Sequence, residues 1–368
     1  MPVSEGTVTE AVIAIPVRDE VKRIGRCLAA LSRQSTPAAH VVLLLNNCTD
    51  GTAAVVKALP PAPYRLHVVE CKLEGPSASA GVARGLAMER AASLTNEGVI
   101  LTTDADGEVP ANWIAANLRA IEQGADAVCG QAVIDPIEAL LIPRHLHEDD
   151  AREVAYGRLL DEIESIVLPN PADPWPRHTE DSGASIAITA SMYRLIGGLP
   201  CIPSGEDRAL IRSLNLMDAR VRHDPKIKVL VSGRIDGRAQ GGMADTIRRR
   251  IIKQDEFVDE RIQPAWAAFR RLRMKRRFRL LWQEPTETGV YELAKPLAIA
   301  PNVVADAISA AYLGLGWSLV EQAVPQLSQR RVRFSELPLE MSIARGIRRS
   351  LLNRARLADE YSGERTAA

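Results

Sequence analysis

The sequence lacks a net charge, and this lack excludes two broad classes of protein. Its 368 residues contain 46 lysines and arginines against 46 aspartates and glutamates. A chain that binds nucleic acid through a strong excess of positive charge is therefore excluded. Because 46% of the residues are hydrophobic, a disordered chain is excluded as well. The length predicts two domains, or one large α/β domain that carries an appendage.

The sequence also lacks paired cysteines and long apolar runs. None of its five cysteines forms a C-x-x-C pair, which excludes a zinc knuckle and argues against a disulfide framework. The first residues lack the basic and apolar regions of a signal peptide. The most apolar late stretch, residues 307–320, is shorter than the roughly 20 residues that span a bilayer. We therefore expect a cytoplasmic protein with free thiols.

The neutral total hides an asymmetry between the two parts of the chain. Residues 245–368 carry 22 basic and 15 acidic side chains, so the acidic excess lies in residues 1–244. All six histidines and all five cysteines also lie before residue 245. The side chains best suited to catalysis are therefore concentrated in the first part.

Short apolar runs alternate with segments of helical spacing along residues 1–244. This alternation predicts right-handed crossovers and a mainly parallel sheet. The predicted strands cover residues 11–16, 41–45, 66–70, 99–102, 127–131, 184–189 and 229–232. From residue 245 onward the pattern is mostly helical.

Polar clusters follow three of these strands, at residues 18–20, 46–50 and 104–106. Ligands of such sheets bind beyond the carboxyl ends of the strands. We therefore expect the three clusters to meet along one edge of the sheet.

Asp104 and Asp106 follow the fourth predicted strand. Residues two apart on a strand point to the same side, so both carboxylates face one way. Two such oxygen donors suit Mg²⁺ or Mn²⁺, which takes one or two carboxylates together with substrate phosphates. The alternative is a solvated acidic turn.

Glu206 and Asp207 stand at the predicted start of a helix, after Gly205. An aspartate in this position commonly caps the helix. The alternative is a general base that removes the proton of an acceptor hydroxyl.

Together, the motifs at residues 15–20, 46–52, 103–106 and 205–207 resemble the family-2 glycosyltransferases of the GT-A fold, in order and in spacing. The resemblance covers roughly residues 10–250. It implies a Rossmann-like α/β domain with a mainly parallel sheet flanked by helices, which we assign to residues 1–244, with acceptor-side loops at 136–182. Residues 245–368 are then a basic, mostly helical C-terminal region.

The resemblance also implies a role for each motif residue. Asp207 would be the catalytic base, with Glu206 beside it shaping the acceptor site. Metal ligands would be Asp106, Asp104 and His223. The nucleotide-sugar donor would be bound by Pro16, Arg18, Glu20, Asn46, Arg84, Asp104 and Arg234. His178 and Asp181 would face the acceptor.

Three positions leave alternatives open. The family often has a carboxylate after its second strand, where this chain has Asn46; an amide both donates and accepts hydrogen bonds, so the choice between uracil and guanine as the nucleotide base stays open. Gly81, Val82 and Ala83 replace a frequent Ala-Arg-Asn, and Arg84 then either serves the phosphates or is solvated. His223 is either a third metal ligand or a surface or capping histidine.

The C-terminal region contains seven basic residues within 270–279, interleaved with aromatic residues. A basic amphipathic helix of this kind could lie on an anionic membrane surface. The alternative is a solvated helix packed against the catalytic domain or another subunit. No nucleic-acid-binding module is recognisable.

These features predict a metal-dependent, inverting glycosyltransferase that uses Mg²⁺ or Mn²⁺ and a nucleotide-diphosphate sugar. The acceptor carries a hydroxyl that the sequence does not identify. One alternative is a sugar-phosphate nucleotidyltransferase, against which stands the absence of a glycine-rich phosphate loop after the first strand. The other is a non-catalytic nucleotide-sugar-binding or scaffold protein.

Overall fold

The computed structural model describes residues 10–237, 242–327 and 330–366, with side chains up to residue 356. The chain divides into two compact units. Unit 1 comprises the described residues of Met1–Ile142, Arg177–Asn215 and Ala219–Arg249, and unit 2 those of Pro143–Pro176, Leu216–Asp218 and Arg250–Ala368. The segment Pro143–Pro176, which the sequence analysis assigned to the first domain, thus belongs to unit 2.

Unit 1 is built on a seven-stranded sheet. Its strands are β1 (Ala11–Val17), β2 (His40–Asn46), β3 (Arg65–Cys71), β4 (Val99–Thr102), β5 (Ala127–Ile134), β6 (Ile186–Thr189) and β7 (Val221–Val231). Their order across the sheet is β3-β2-β1-β4-β6-β5-β7. β6 is antiparallel to β4 and β5, and the other pairs are parallel. The prediction of a mainly parallel α/β sheet is confirmed.

Helices connect and cover these strands. In unit 1 they are α1 (Ile24–Ser32), α2 (Thr52–Ala58), α3 (Ala80–Ala92), α4 (Trp113–Glu122), α5 (Pro136–Ala139), α7 (Ala190–Leu195) and α8 (Glu206–Leu216). α9 (Met243–Ile252) spans the boundary between the units. Unit 2 contains α6 (Arg144–Val167), α10 (Ala265–Gln283), α11 (Glu287–Leu297), α12 (Pro301–Ile308), α13 (Leu313–Ala323) and α14 (Leu337–Thr366). Short 3₁₀ turns lie at Gly75–Ser77, Pro325–Leu327 and Phe334–Glu336.

The central strand β1 is buried on both faces, as its continuous apolar sequence predicts. Ile13 and Ile15 enter a core shared with α1 and α4. Val12 and Ala14 enter a second core shared with α3 and α8. Because α3 lies on this second face, its buried side chains pack against the sheet.

β7 begins eight residues before the sequence-based boundary of 229. Charged residues and Pro225 interrupt its apolar pattern. Proline is tolerated here because β7 lies at the edge of the sheet, beside β5. The register of the β5–β7 ladder also shifts between Cys129 and Gln131.

Unit 2 is helical in its described part, which confirms the predicted helical C-terminal region. Two apolar cores hold it together: one joins α10 to α11, α12 and α13, and the other joins α6, α10 and α14. α10 buries Leu272, Met274 and Phe278 within the unit. Its exposed side chains include Trp266, Arg270, Arg273, Arg276, Arg277 and Leu280. Among the described residues, we find no helix with the length and apolar character needed to cross a membrane.

Candidate active site

The site is organised around Arg84, which is buried at the base of the carboxyl edge. α3 places it there because Ala83, Ala87 and Met88 form the helix face that packs on the sheet. Its Nη2 donates to Asp104 Oδ1 at 2.7 Å, and its Nε donates to Glu206 Oε1 at 3.0 Å. One guanidinium therefore joins the two acidic motifs, although 122 residues separate Arg84 from Glu206.

The rest of the Arg84 guanidinium is bound to the sheet. Nη1 donates to Thr102 Oγ1 and to the carbonyl oxygen of Gly183, both at 2.9 Å. The alternative in which Arg84 is solvated is thus wrong. Burial lowers the pKa of Arg84, but the Asp104 and Glu206 carboxylates outweigh burial and raise that pKa above the ordinary arginine value.

The backbone of Gly183 connects Asp207 with Arg84. Its N–H donates to Asp207 Oδ2 at 2.9 Å, while its carbonyl accepts from Arg84. A Cβ at this position would lie 2.6 Å from Arg84 Cζ, so only glycine allows the guanidinium to approach the backbone this closely. The N–H of Arg208 donates to Asp207 Oδ1 at 2.8 Å. Backbone donors therefore orient the Asp207 carboxylate at the start of α8.

A second arginine faces the other aspartate of the motif. Arg234 follows β7, and its Nη2 lies 3.1 Å from Asp106 Oδ2. The same guanidinium forms two bonds to Glu20, at 2.6 and 2.8 Å. An antiparallel bridge between Glu108 and Leu230 holds the segment after Asp106 against β7. This bridge brings Arg234 to the end of β4.

The electrostatics of the cluster favour an additional cation. Burial raises the pKa of Asp106 to about 6, with the Asp104 charge as a further cause, although Arg234 opposes the shift. Among the described residues, four carboxylates contact these two guanidiniums, so the six ionised groups together carry an excess of two negative charges. These carboxylates are Glu20, Asp104, Asp106 and Glu206, and the guanidiniums are those of Arg84 and Arg234. The donor set and the charge both fit a divalent cation such as Mg²⁺ or Mn²⁺ at Asp104 and Asp106.

The loops after β1 and β2 interlock beside this cluster. Thr52 Oγ1 accepts from the Glu20 N–H at 2.8 Å, and the Asp19 carboxylate accepts from the N–H groups of Thr49 and Asp50. Asp19 and Asn47 both have a φ of 52°, which aspartate and asparagine tolerate better than other residues with a side chain.

The other predicted donor-binding residues lie at the same edge. Asn46 is buried at the end of β2, while Pro16 and Arg18 are half-buried at the end of β1. The amide of Asn47 pairs with the backbone of Leu73 in both directions, so it fixes the loop after β3.

His223 lies in a different group from Arg234. Its Nε2 is 3.2 Å from Asp181 Oδ1, and its ring meets that of His178 edge to face, with centroids 5.5 Å apart. His178 Nε2 also contacts the carbonyl oxygen of Cys129 at 3.2 Å. Arg234, and not His223, is thus the residue that the structure pairs with Asp106.

Sequence reasoning missed the connecting residues of the site, notably Thr102, Gly183 and Glu138. Glu138 accepts from Ser232 Oγ and from the Gly233 N–H, both at 2.7 Å, and so holds the residues that precede Arg234. None of the three belongs to an acidic motif. The small side chains at residues 182–185 were the one available signal of close backbone approach.

One family model matches part of the chain. The model described as "Glycosyl transferase family 2" matches residues 12–173, which include the first three motifs but not residues 205–207. A comparison with curated proteins finds no match.

Solved structures resemble the chain distantly. TarS 1–349 of S. aureus in complex with UDP-GlcNAc has a TM-score of 0.45 and 16% identity, over 95% of this chain and 92% of that one. The mannosyltransferase PcManGT from Pyrobaculum calidifontis in complex with GDP-Man and Mn²⁺ has a TM-score of 0.43 and 16% identity, over 98% and 83%. Glucosyl-3-phosphoglycerate synthase from Mycobacterium tuberculosis in complex with Mg²⁺ and UDP has a TM-score of 0.39 and 13% identity, over 67% and 79%. On the match of the family model, the chain carries a glycosyl transferase family 2 domain, which confirms the family predicted from its motifs.

Proposed function

We propose that this glycosyltransferase moves a sugar from a nucleotide-diphosphate sugar to an acceptor hydroxyl, with a divalent metal and with inversion at the anomeric carbon. One observation carries the proposal. The buried Arg84 binds both Asp104 and Glu206, so the donor-side and acceptor-side carboxylates surround a single place at the carboxyl edge. The leaving group of a bound donor and the acceptor hydroxyl would thus lie within one site.

On the donor side, Asp104 and Asp106 would hold Mg²⁺ or Mn²⁺. The ion would neutralise the charge that develops on the departing diphosphate. Pro16, Arg18, Glu20 and Asn46 would line the nucleotide pocket. Arg234 would remain beside Asp106 and add a positive charge that faces the phosphates.

On the acceptor side, Asp207 would remove the proton of the hydroxyl. Two backbone N–H groups occupy one lone pair on each of its oxygens, and a carboxylate has about four such acceptor positions. Capacity therefore remains for the acceptor. Glu206 would hold the start of α8 through Arg84. A base opposite the leaving group leads to inversion.

The exposed face of α10 is a candidate for a peripheral contact outside the site. Its arginines are accompanied by Trp266, which is 61% exposed. A basic face with an aromatic residue has the chemistry that binds anionic membrane surfaces. Binding to anionic but not to neutral vesicles, lost when Arg270, Arg273 and Arg277 are replaced by glutamine, would support a membrane contact over an association between copies of the chain.

The function is tested with two variants that separate donor binding from chemistry. Donor binding is measured as the thermal shift produced by nucleotide sugars with and without Mn²⁺, starting with UDP-GlcNAc and GDP-Man. We expect Asp106→Asn to abolish the metal-dependent shift. We expect Asp207→Asn to keep the shift and to lower transfer by about 10²–10⁴-fold, the usual contribution of a general base.

Asp306→Asn, on the exposed surface of α12, is the matched control and should change neither property. Unchanged transfer in Asp207→Asn would contradict the assignment of the base. Release of pyrophosphate from a nucleoside triphosphate in the presence of a sugar phosphate would indicate a nucleotidyltransferase instead.

A further inference from the structure

Cys129, Asp181 and His223 converge in unit 1, outside the Arg84 and Arg234 contacts. The β5–β7 register sets Cys129 directly opposite His223, so their side chains share one face of the sheet. Asp181 comes from the segment before β6, and its carboxylate lies 3.2 Å from His223 Nε2. The Cys129 Sγ, an Asp181 oxygen and a His223 nitrogen all lie within 4.8 Å of one another.

The thiol and the imidazole of this group are shielded from solvent. Cys129 is fully buried, and His223 is 8% exposed. The β5–β7 ladder shifts register immediately after Cys129, and irregularities of this kind are common beside functional sites. The thiol, carboxylate and imidazole are thus gathered where water is largely excluded and a bound ion would be held firmly.

His178 forms the wall of the group and does not supply a ligand. Its Nδ1 accepts from the Glu180 N–H at 3.1 Å, which places the ring proton on Nε2, and that proton is donated to the Cys129 carbonyl oxygen. Both nitrogens are therefore engaged with the backbone. The ring fixes Cys129 and packs on His223, as outer partners of metal ligands commonly do.

We propose that Cys129, Asp181 and His223 form a second metal site, with three protein ligands and one open position. Sulfur, nitrogen and oxygen donors together suit Zn²⁺ or Co²⁺, whereas the oxygen donors of Asp104 and Asp106 suit Mg²⁺ or Mn²⁺. Binding converts the Cys129 thiol to a metal-bound thiolate and releases its proton to solvent, while His223 binds as the neutral imidazole.

The site would act on catalysis by positioning. Asp181 stands two residues before Gly183, whose N–H holds Asp207 and whose carbonyl holds Arg84. A metal bound by Asp181 would anchor this segment to β5 and β7. It would thereby restrict the backbone that orients the catalytic base.

The test uses cobalt as a spectroscopic probe and requires no glycosyl transfer. Metal-free protein is titrated with Co²⁺, and we expect a near-ultraviolet thiolate-to-cobalt band that saturates at one ion per chain and disappears when Zn²⁺ is added. The titration is performed in a Cys201→Ser background, because Cys201 is an exposed thiol that could bind cobalt adventitiously. Proton release is recorded in the same titration.

Single-residue variants show which thiol gives rise to the cobalt band. Cys129→Ser should lose it, while Cys27→Ser, which removes another buried thiol, should keep it. Asp106→Asn should keep it as well, which separates this site from the one in the proposed function. Asp181→Asn should weaken Co²⁺ binding by more than about tenfold. Because Asp181 is less buried than Cys129, this variant tests the proposal even if Cys129→Ser does not fold. Absence of the band in the wild-type protein, or its persistence in Cys129→Ser, would overturn the proposal, as would unchanged affinity in Asp181→Asn.

Discussion

Arg84 and Glu206 form a buried ion pair that links the helix after β3 to the helix that carries the proposed base. The Nε–Oε1 distance is 3.0 Å, and each side chain is 8% exposed. A buried pair of this kind contributes little net stability compared with apolar residues, but the loss of one partner leaves a buried charge without compensation. The pair therefore makes the geometry of the site sensitive to Arg84.

We predict that Arg84→Met lowers the free energy of unfolding by about 3–5 kcal/mol. The change strands Glu206 and also removes a partner of Asp104, so glycosyl transfer should fall with stability. Unfolding in urea measures the first effect. Arg90→Met is the control, because Arg90 is exposed on the same helix and should change the free energy by less than about 0.5 kcal/mol. Equal values for the two variants would show that the Arg84 contacts are not formed in solution.

A second prediction concerns Gly183→Ala. The new methyl group would lie 2.6 Å from Arg84 Cζ, and the buried guanidinium cannot move aside without breaking its bonds. Transfer should therefore fall as in Arg84→Met, although no charge is removed. Gly85→Ala provides the comparison, since its Cβ would meet nothing closer than 3.8 Å and alanine favours the interior of α3 by up to about 1 kcal/mol. Steady-state transfer rates measured below the melting temperature of both variants distinguish the two glycines.

The position of the site was predictable from the sequence because it depends on topology. Asp104, Asp106 and Glu20 each follow an apolar strand, and parallel strands bring such positions to one edge. The partners of these carboxylates were not predictable in the same way. Whether Arg84 faces the sheet or solvent depends on how α3 is rotated, and the small and apolar residues spread around the whole helix conceal that rotation.

The start of β7 could not be predicted from the sequence either. Charged residues and Pro225 obscure the start of β7 in the sequence. The pairing of Cys129 with His223 could therefore not be predicted, and His223 was expected beside Asp106. Arg234 had been placed near the diphosphate through the family resemblance. Its pairing with Glu20 depends on a bridge between Glu108 and Leu230, which is a contact of the folded chain that no local pattern encodes.

A third prediction uses pH. Burial raises the pKa of Glu138, but hydrogen bonds from Ser232 and Gly233 and the charge of Arg23 outweigh burial and hold the pKa below the ordinary glutamate value. The folded state thus favours the ionised form, so its stabilisation is present above the ordinary value of about 4.3 and is lost as the pH falls through the lower folded pKa.

Glu138→Gln should therefore lower the free energy of unfolding by about 1–3 kcal/mol at neutral pH, and the difference from wild type should shrink below about pH 4. Urea unfolding across this pH range measures the difference. Glu70→Gln removes an exposed ion pair with Lys57 and should cost less than about 1 kcal/mol at any pH. A difference for Glu138→Gln that does not vary with pH would mean that the carboxylate is not held by these donors.

The last prediction concerns the coupling between Arg234 and Glu20, which brings the ends of β7 and β1 together. Glu20 is 5% exposed and accepts two bonds from one guanidinium, so Arg234→Met removes both bonds from a buried carboxylate and should cost about 3–5 kcal/mol. Glu20→Gln alone also breaks the pair. In the double variant both charges of the pair are gone, and the total cost should be smaller than the two single costs together by about 0.5–3 kcal/mol. Urea unfolding of the four proteins gives this coupling energy directly. Additive costs would mean that Arg234 is held by Asp106 alone, in which case Asp106→Asn combined with Arg234→Met would show the coupling instead.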